Sequence, residues 1–528
     1  MGMRVDGKHF TLDGGEYIRQ VIRDTSPEIV IPKAAQTRFT VTFLVRSLHW
    51  ITQRKWHHLY LLPLKTGAIP FVQARIDPII DSNPFLSDQF KSVDNRLHKQ
   101  SRQYVNLYVR GTNIKSELQE IPVDVEVWDE RDRMVDQLPD ETDPLEEARH
   151  RMDGSKVRQL TILSTPSVEG YGICAEDTWD ASDQHRWEIP CPRCSRFQVL
   201  TFDDNLKLGD RADECVLECA HCSHAFTDGE RISLNAEGRW VPHNPDGNLR
   251  GYHISQFNSP TQPLTEIMKA WFKGQTEVRK LKSFFNQNLG LPYTALGDKI
   301  TPQILDGCRQ HGYSMGGIPN SAVYVGIDIG TLIHVVSLHE DQFKRSMLWD
   351  VRIFKNFDQV DRYLSDLLSF NAVIDAHPEK HAARDLSVKF HGKLWLGFSD
   401  DRDQNEEIAS FNPLKIGEAG KVRIDRNMAL DQVADDFIKG RVILPPEARE
   451  LGEPMPRKQY NGFYHQFNQM VRVEKENSKG HAVVRWAKNR NLDHWHHAWM
   501  FARVAKLKAP TLIVPSQISN AMKTGVYG

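Results

Sequence analysis

Across 528 residues the sequence has no run of about eighteen apolar residues, so no membrane-spanning helix is expected. Its first residues, Met1-Gly-Met-Arg-Val-Asp-Gly-Lys8, lack the apolar core of a secretory leader. Cysteine is scarce and odd in number, with seven at positions 174, 191, 194, 215, 219, 222 and 308. That argues against a disulfide framework and for a reducing compartment with metal-bound thiolates. Repeats and low-complexity tracts are missing as well, which argues against solenoids and disordered linkers. An overall basic excess is also lacking, since the net charge is −2. Charge is nevertheless unevenly placed. Residues 455–508 hold 11 Lys and Arg against 3 acidic residues, and residues 129–147 hold 9 acidic residues against 2 Arg. A basic stretch of that kind suits a surface that meets a nucleic-acid backbone, or simply a solvated helix face.

What remains is an ordinary globular composition, 40% hydrophobic and 26% charged, in a chain long enough for two or more cores. The stretch Val323-Tyr-Val-Gly-Ile-Asp-Ile-Gly-Thr331 reads as a buried strand around one carboxylate, Asp328. An ionised Asp in an apolar strand is costly unless it is paired or binds a cation. Phe370-Asn-Ala-Val-Ile-Asp-Ala-His377 is a second apolar strand and ends in Asp375. From Asn489 a polar turn leads into a helix, with Asp493 near its first turn. A single Asp at a strand or helix end is ordinarily a turn former or a cap. Three together make an oxygen-rich site for a pair of Mg²⁺ or Mn²⁺ ions, the pattern of an RNase H-like nuclease. The run His494, His496 and His497 beside Asp493 either adds a metal ligand or belongs to the helix surface.

The first half reads as a nucleotide-binding α/β unit. A short strand, Glu28 to Ile31, a loop beginning at Lys33 and a helix from about Thr40 have the layout of a phosphate-binding loop. The loop is free of glycine, and Arg38 and Phe39 stand where Gly and Lys are usual. Val123-Asp-Val-Glu-Val-Trp-Asp-Glu130 reads as a strand ending in Asp129 and Glu130, the residue pair that holds magnesium and polarises water in P-loop ATPases. Leu160-Thr-Ile-Leu-Ser-Thr-Pro-Ser167 is an apolar strand ending in hydroxyl residues, suited to sensing nucleotide. Cys191-Pro-Arg-Cys194 and Cys219-Ala-His-Cys222, separated by 24 residues, are the paired knuckles of a four-thiolate zinc ribbon, with Cys215, His221 and His224 as spare candidates. A filled ligand set makes that metal structural.

In this order the motifs resemble the large terminase subunit of tailed bacteriophages, specifically the lambda-like group whose ATPase carries a zinc ribbon. The resemblance runs from about residue 10 to residue 507. It implies that Lys33, Ala34, Ala35, Gln36, Thr37, Arg38 and Thr40 form the ATP loop, with Lys33 on phosphate and the Thr40 hydroxyl on Mg²⁺. It further implies Asp129 as the magnesium carboxylate, Glu130 as the catalytic one, Ser164-Thr-Pro-Ser167 as the coupling segment and Asp328, Asp375 and Asp493 as the nuclease carboxylates. Such proteins hydrolyse ATP to drive double-stranded DNA through a portal into a procapsid, and cut the concatemeric genome. They work as a ring, five subunits by the family pattern, with a small terminase subunit selecting DNA. The implied setting is the host cytoplasm, docked transiently on the procapsid portal, with no membrane.

The expected architecture is α/β: a P-loop ATPase core of the ASCE type over residues 1–185, a zinc-ribbon insertion over 186–235 and an ATPase completion with helical linker over 236–312. An RNase H-like nuclease over 313–510 and a tail over 511–528 follow. Expected cofactors are ATP, Mg²⁺ (or Mn²⁺) and Zn²⁺. The departure at Arg38 narrows the approach of backbone to phosphate. It favours a second reading, an RNase H-fold nuclease whose P-loop domain grips DNA without hydrolysing ATP. A non-catalytic zinc-ribbon DNA binder leaves the three carboxylates unexplained.

Overall fold

The computed structural model describes residues 2–508 apart from 91–92, 120, 137, 139–141, 318–321, 401–406, 416, 453–461, 477–481 and 489–491. The expected 511–528 tail, the end of the Gly312–Asn320 linker and four cations of the basic stretch, Arg457, Lys458, Lys479 and Arg490, lie outside the described residues. The chain divides into two compact units, Met1–Asp298 with Arg472–Val484, and Lys299–Val471 with Arg485–Gly528. The sequence reading set the division after residue 312. Residues 299–312 fall in the second unit because Ile300, Leu305 and Cys308 are part of its core. No helix among the described residues is long and apolar enough to cross a membrane.

The first unit is built on an eleven-stranded sheet. Its central strands are β1 (Glu28–Pro32), β2 (His58–Leu62), β3 (Asn106–Gly111), β4 (Val125–Asp129), β5 (Gln159–Ser164), β6 (His185–Pro190) and β7 (Arg250–His253), with helix α1 (Phe39–Gln53) following β1. They run β6–β7–β1–β5–β4–β2–β3, parallel throughout. The loop-bearing strand β1 is thus separated from the Asp129 strand β4 by one intervening strand, the order of ASCE-type ATPases. Both faces of the sheet are covered, so β1, β2, β4 and β5 are apolar runs rather than alternating ones. Ile29 and Ile31 enter one core cluster and Val30 the opposite one. The expected long helix from Leu264 to Asn288 is broken into Leu264–Gly274, Val278–Ser283 and a π-turn, Phe284–Leu289, which Gly290 ends in the left-handed region.

The second unit holds an eight-stranded sheet. It contains β8 (Val323–Ile329), β9 (Ile333–Glu340), β10 (Ser346–Phe354), β11 (Phe370–Asp375), β12 (Leu394–Asp400) and β13 (Gly420–Asp425), with helices α2 (Arg426–Ile438) and α3 (His494–Ala505). The central order is β13–β12–β11–β8–β9–β10. β8, β9 and β10 form an antiparallel meander, and β11, β12 and β13 extend it in parallel, the RNase H-like arrangement. Val323, Val325, Ile327 and Ile329 of β8 face one core cluster. The opposite face takes α3. A Cβ on Gly326 would lie 1.8 Å from the Ala498 carbonyl oxygen, so only glycine lets the helix backbone approach this closely. Asp328, two residues on, shares that face.

Candidate active sites and metal centre

At the end of β1 the backbone turns sharply, and Gln36 (φ 60°) and Arg38 (φ 68°) adopt left-handed conformations. These cost a residue with a Cβ about 1 kcal/mol each. Arg38 therefore has the backbone shape of the glycine it replaces, and its guanidinium reaches back to the Thr11 carbonyl at 3.4 Å. The turn is pinned from behind. The amides of Lys33, Ala34 and Ala35 donate to the carbonyls of Ser164, Ile254 and Gln287 at 3.0, 3.0 and 2.7 Å. The Thr37 hydroxyl donates to the Ala34 carbonyl at 2.8 Å. Among the described residues, no backbone hydrogen bond outside the helices and strands starts from the amides of residues 36–40. These free donors at the start of α1 suit an anion such as phosphate.

Lys33 is buried, and its Nζ lies 3.1 Å from Glu130 Oε1. Asp129 closes β4. The Tyr60 hydroxyl donates to its Oδ2 at 2.7 Å, while Oδ1 is buried and accepts no hydrogen bond. Burial raises the Asp129 pKa against the pull of Lys33. Burial opposes charge on Glu130 too, but Lys33 and Arg133 outweigh it and the pKa falls. An orphaned carboxylate oxygen with the Thr40 hydroxyl beside it fits a magnesium ion. The sequence holds no sign of Tyr60, whose role depends on β2 pairing with β4. Nor did it point to Asp132. This carboxylate accepts from the Ser167 amide and hydroxyl at 2.8 and 2.6 Å and from the Ile173 amide at 2.8 Å, and the Asp132 amide donates to Ser164 Oγ at 3.0 Å. The residues just after Glu130 are thereby tied to segment 164–167.

The four knuckle sulfurs converge. Cys191 and Cys222 are 3.6 Å apart, Cys194 and Cys219 3.7 Å, and all four ligand atoms lie within 4.8 Å of one another. A zinc tetrahedron with Zn–S of about 2.3 Å has edges of about 3.8 Å, so the cluster has the size of a zinc site. The His221 amide and Gln198 Nε2 donate to Cys219 Sγ at 3.4 and 3.2 Å. Against the effect of burial, such bonds bring the Cys219 pKa down to about 6. The spare candidates stand apart. Cys215 donates to the Arg211 carbonyl, and His224 meets Glu230 at 3.2 Å.

In the second unit, Ile327 pairs with Ile374, so the next rung sets Asp328 beside Asp375. Asp375 pairs with Gly397, where a Cβ would lie 3.0 Å from Phe501 of α3. Asp493 immediately precedes α3. Asp328 and Asp493 therefore both lie at the N-terminal end of that helix, and Asp375 is on the strand beside Asp328. His494 Nδ1 lies 2.6 Å from Asp328 Oδ2. His497 Nδ1 is 3.4 Å from Asp493 Oδ2, which is buried and accepts no hydrogen bond. Burial disfavours charge on Asp493, yet His497, Lys488 and His494 hold its pKa far below the usual carboxylate range. A buried carboxylate oxygen that accepts no hydrogen bond fits a divalent cation. Among the described residues, however, only the cysteine cluster brings three or more ligand atoms within 4.8 Å, and the three aspartates are not drawn that close. His496 is no ligand candidate. It is buried, stacks on Phe467 at 4.7 Å, and burial pushes its pKa down to about 3. The basic stretch is also partly neutralised, because Lys475, Arg503 and Lys506 pair with Asp136, Asp436 and Glu340.

Residues 16–240 match the family model of the phage terminase large subunit gpA ATPase domain, and residues 249–330 that of the terminase large subunit gpA endonuclease domain. The chain belongs to the phage terminase large subunit family. The endonuclease match includes Asp328 and ends before Asp375 and Asp493. Among related terminase large subunits, that of Enterobacteria phage P21 is 25% identical over 305 residues, covering 52% of this chain and 47% of the relative. That of Escherichia phage lambda is 25% identical over 354 residues, covering 60% and 53%. The chain thus spans about half the length of the curated relatives it matches. The crystal structure of the HK97 bacteriophage large terminase is similar with a TM-score of 0.49 at 12% identity, over 95% of this chain and 96% of that one.

Proposed function

We propose that this chain is the motor subunit of a phage DNA-packaging machine with two activities. The first unit hydrolyses ATP to move double-stranded DNA into a procapsid, and the second cuts concatemeric DNA. The observation that carries this reading is the succession, in one chain, of matches to the gpA ATPase and gpA endonuclease models. In the first unit the amides of residues 36–40 and Lys33 bind the ATP phosphates. Thr40 and Asp129 Oδ1 hold magnesium, which neutralises phosphate charge when bound. When Lys33 exchanges its Glu130 contact for phosphate, Glu130 is released to orient the attacking water and take its proton. Asp132 couples the shift to segment 164–167.

In the second unit Asp328, Asp375 and Asp493 hold Mg²⁺ or Mn²⁺. Bound ions supply an activated water and stabilise the leaving 3′ oxygen. Cys191, Cys194, Cys219 and Cys222 hold a structural Zn²⁺. The partners are double-stranded DNA, a portal protein on the procapsid, a small terminase subunit and further copies of the chain in a ring of five. The setting is the host cytoplasm at the portal. The test is a pair of assays on one preparation, DNA-stimulated ATP hydrolysis and Mg²⁺-dependent plasmid cleavage. Both activities are expected. Cleavage without ATP turnover would leave the nuclease-only reading.

A further inference from the structure

The nuclease reading assigns the three carboxylates but leaves the histidines of α3 unused. His494 and His497 are three residues apart, on one side of the first turn. Each presents Nδ1 to a different carboxylate, His494 to Asp328 Oδ2 at 2.6 Å and His497 to Asp493 Oδ2 at 3.4 Å. The tautomer of His497 is fixed from behind. Arg426 Nε lies 3.2 Å from His497 Nε2, and a guanidinium only donates, so Nε2 accepts and the proton is on Nδ1. Arg426 is itself anchored by donating to the Trp486 carbonyl at 3.0 Å. The His494 ring is fixed by packing. It stacks on His334 with centroids 4.6 Å apart and planes 17° apart, and a Cβ on Gly330 would lie 2.5 Å from it.

We infer that His494 and His497 are positioning residues of the proposed nuclease site, His494 donating its Nδ1 proton to Asp328 and His497 turning its Nδ1–H toward Asp493 across 3.4 Å, with Arg426 setting the tautomer of His497. Neither imidazole is a ligand. The two contacts fix the direction of the carboxylates' remaining lone pairs, so that Asp328 on a strand and Asp493 on a helix start address the same ions. The inference rests on the nuclease reading and adds to it the residues that aim its ligands. Outer partners of this kind are worth about 10–100-fold in metal affinity.

The test is Mn²⁺ binding to the full chain without nucleotide, followed by the electron paramagnetic resonance of free Mn²⁺. The binding lost in Asp328→Asn defines the nuclease site. His494→Leu and His497→Leu should each weaken that binding by about 10–100-fold. His494→Asn and His497→Asn, whose amide nitrogen replaces Nδ1, should restore it to within a few-fold. Arg426→Leu should weaken binding when residue 497 is His and have no effect when it is Asn. ATP turnover and thermal melting serve as controls for folding, since none of these residues belongs to the ATP site. Leucine variants that bind Mn²⁺ like the wild type would overturn the inference. So would asparagine variants as weak as the leucine ones, which would make the imidazoles ligands themselves. Equal Mn²⁺ binding by the wild type and Asp328→Asn would instead overturn the nuclease reading.

Discussion

Gly326→Ala should separate the two units functionally with a single methyl group. The added Cβ would lie 1.8 Å from the Ala498 carbonyl oxygen and 2.2 Å from the Ala502 amide nitrogen. That is at least about 1.3 Å short of ordinary van der Waals contact. The obstacle is helix backbone, so no rotamer change relieves it and α3 must move off β8. Overpacking of this kind costs about 3 kcal/mol. The same displacement would carry Asp493 and His494 away from Asp328 and stretch the 2.6 Å His494–Asp328 contact beyond hydrogen-bonding range. A misplacement of about 1 Å can lower catalysis on the order of 100-fold. Thermal unfolding should show a lower melting transition for the second unit, Mn²⁺ binding should weaken and plasmid nicking should fall by about that factor. ATP turnover should stay within about twofold, because its residues belong to the other unit. Wild-type melting and Mn²⁺ affinity in Gly326→Ala would refute the seating of α3 on β8, and with it the proposed shared metal site of the three carboxylates.

Purified protein should contain one zinc per chain by elemental analysis, and Cys194→Ser should lose it together with protease resistance of the ribbon; a zinc-free, protease-resistant wild type would contradict the Cys₄ assignment. Glu130→Gln should keep nucleotide binding but slow ATP turnover by about 100-fold or more, whereas Lys33→Ala should weaken binding itself, as read by nucleotide titration. Stability should also depend on pH through Glu126, whose pKa burial raises from 4.5 to about 8 even though the Trp128 ring N–H favours its charged form. Below about 4.5 it is neutral in both the folded and the unfolded chain; above that pH the unfolded chain ionises first, so the contribution falls with rising pH until about 8. Glu126→Gln, neutral throughout, should flatten this slope and raise the melting temperature at pH 8, and an unchanged profile would count against a buried, protonated Glu126.

Much of this was legible from residue order. The apolar runs of β1, β4, β5, β8 and β11 announced strands covered on both faces, and the carboxylates near the ends of β4, β8 and β11 supplied the candidate site residues. The spacing of the cysteine knuckles proposed four sulfurs and left Cys215, His221 and His224 as spares, and the four sulfurs are the ones that cluster. What was not legible depends on long-range pairing. Tyr60 meets Asp129 only because two strands pair that are distant in sequence, and Arg426 meets His497 only because α2 and α3 start close together. The absence of loop glycine suggested an obstructed phosphate site, yet Gln36 and Arg38 take the left-handed backbone that glycine would have taken. Propensity at those positions is overridden by the bonds that hold Lys33, Ala34 and Ala35 from behind. The histidine run looked uniform in sequence. The helix period distributes it, with His496 in the core against Phe467 and His494 and His497 at the carboxylates.

The most direct test of the proposal that this chain carries two separate active sites is Asp328→Ala, assayed for plasmid nicking in Mg²⁺ and for DNA-stimulated ATP hydrolysis on the same preparation. Nicking should disappear while ATP hydrolysis and DNA binding stay near wild type, since Asp328 lies in the second unit and the Lys33–Glu130 pair in the first. Continued nicking by Asp328→Ala, or a loss of ATP hydrolysis in parallel with nicking, would contradict the account.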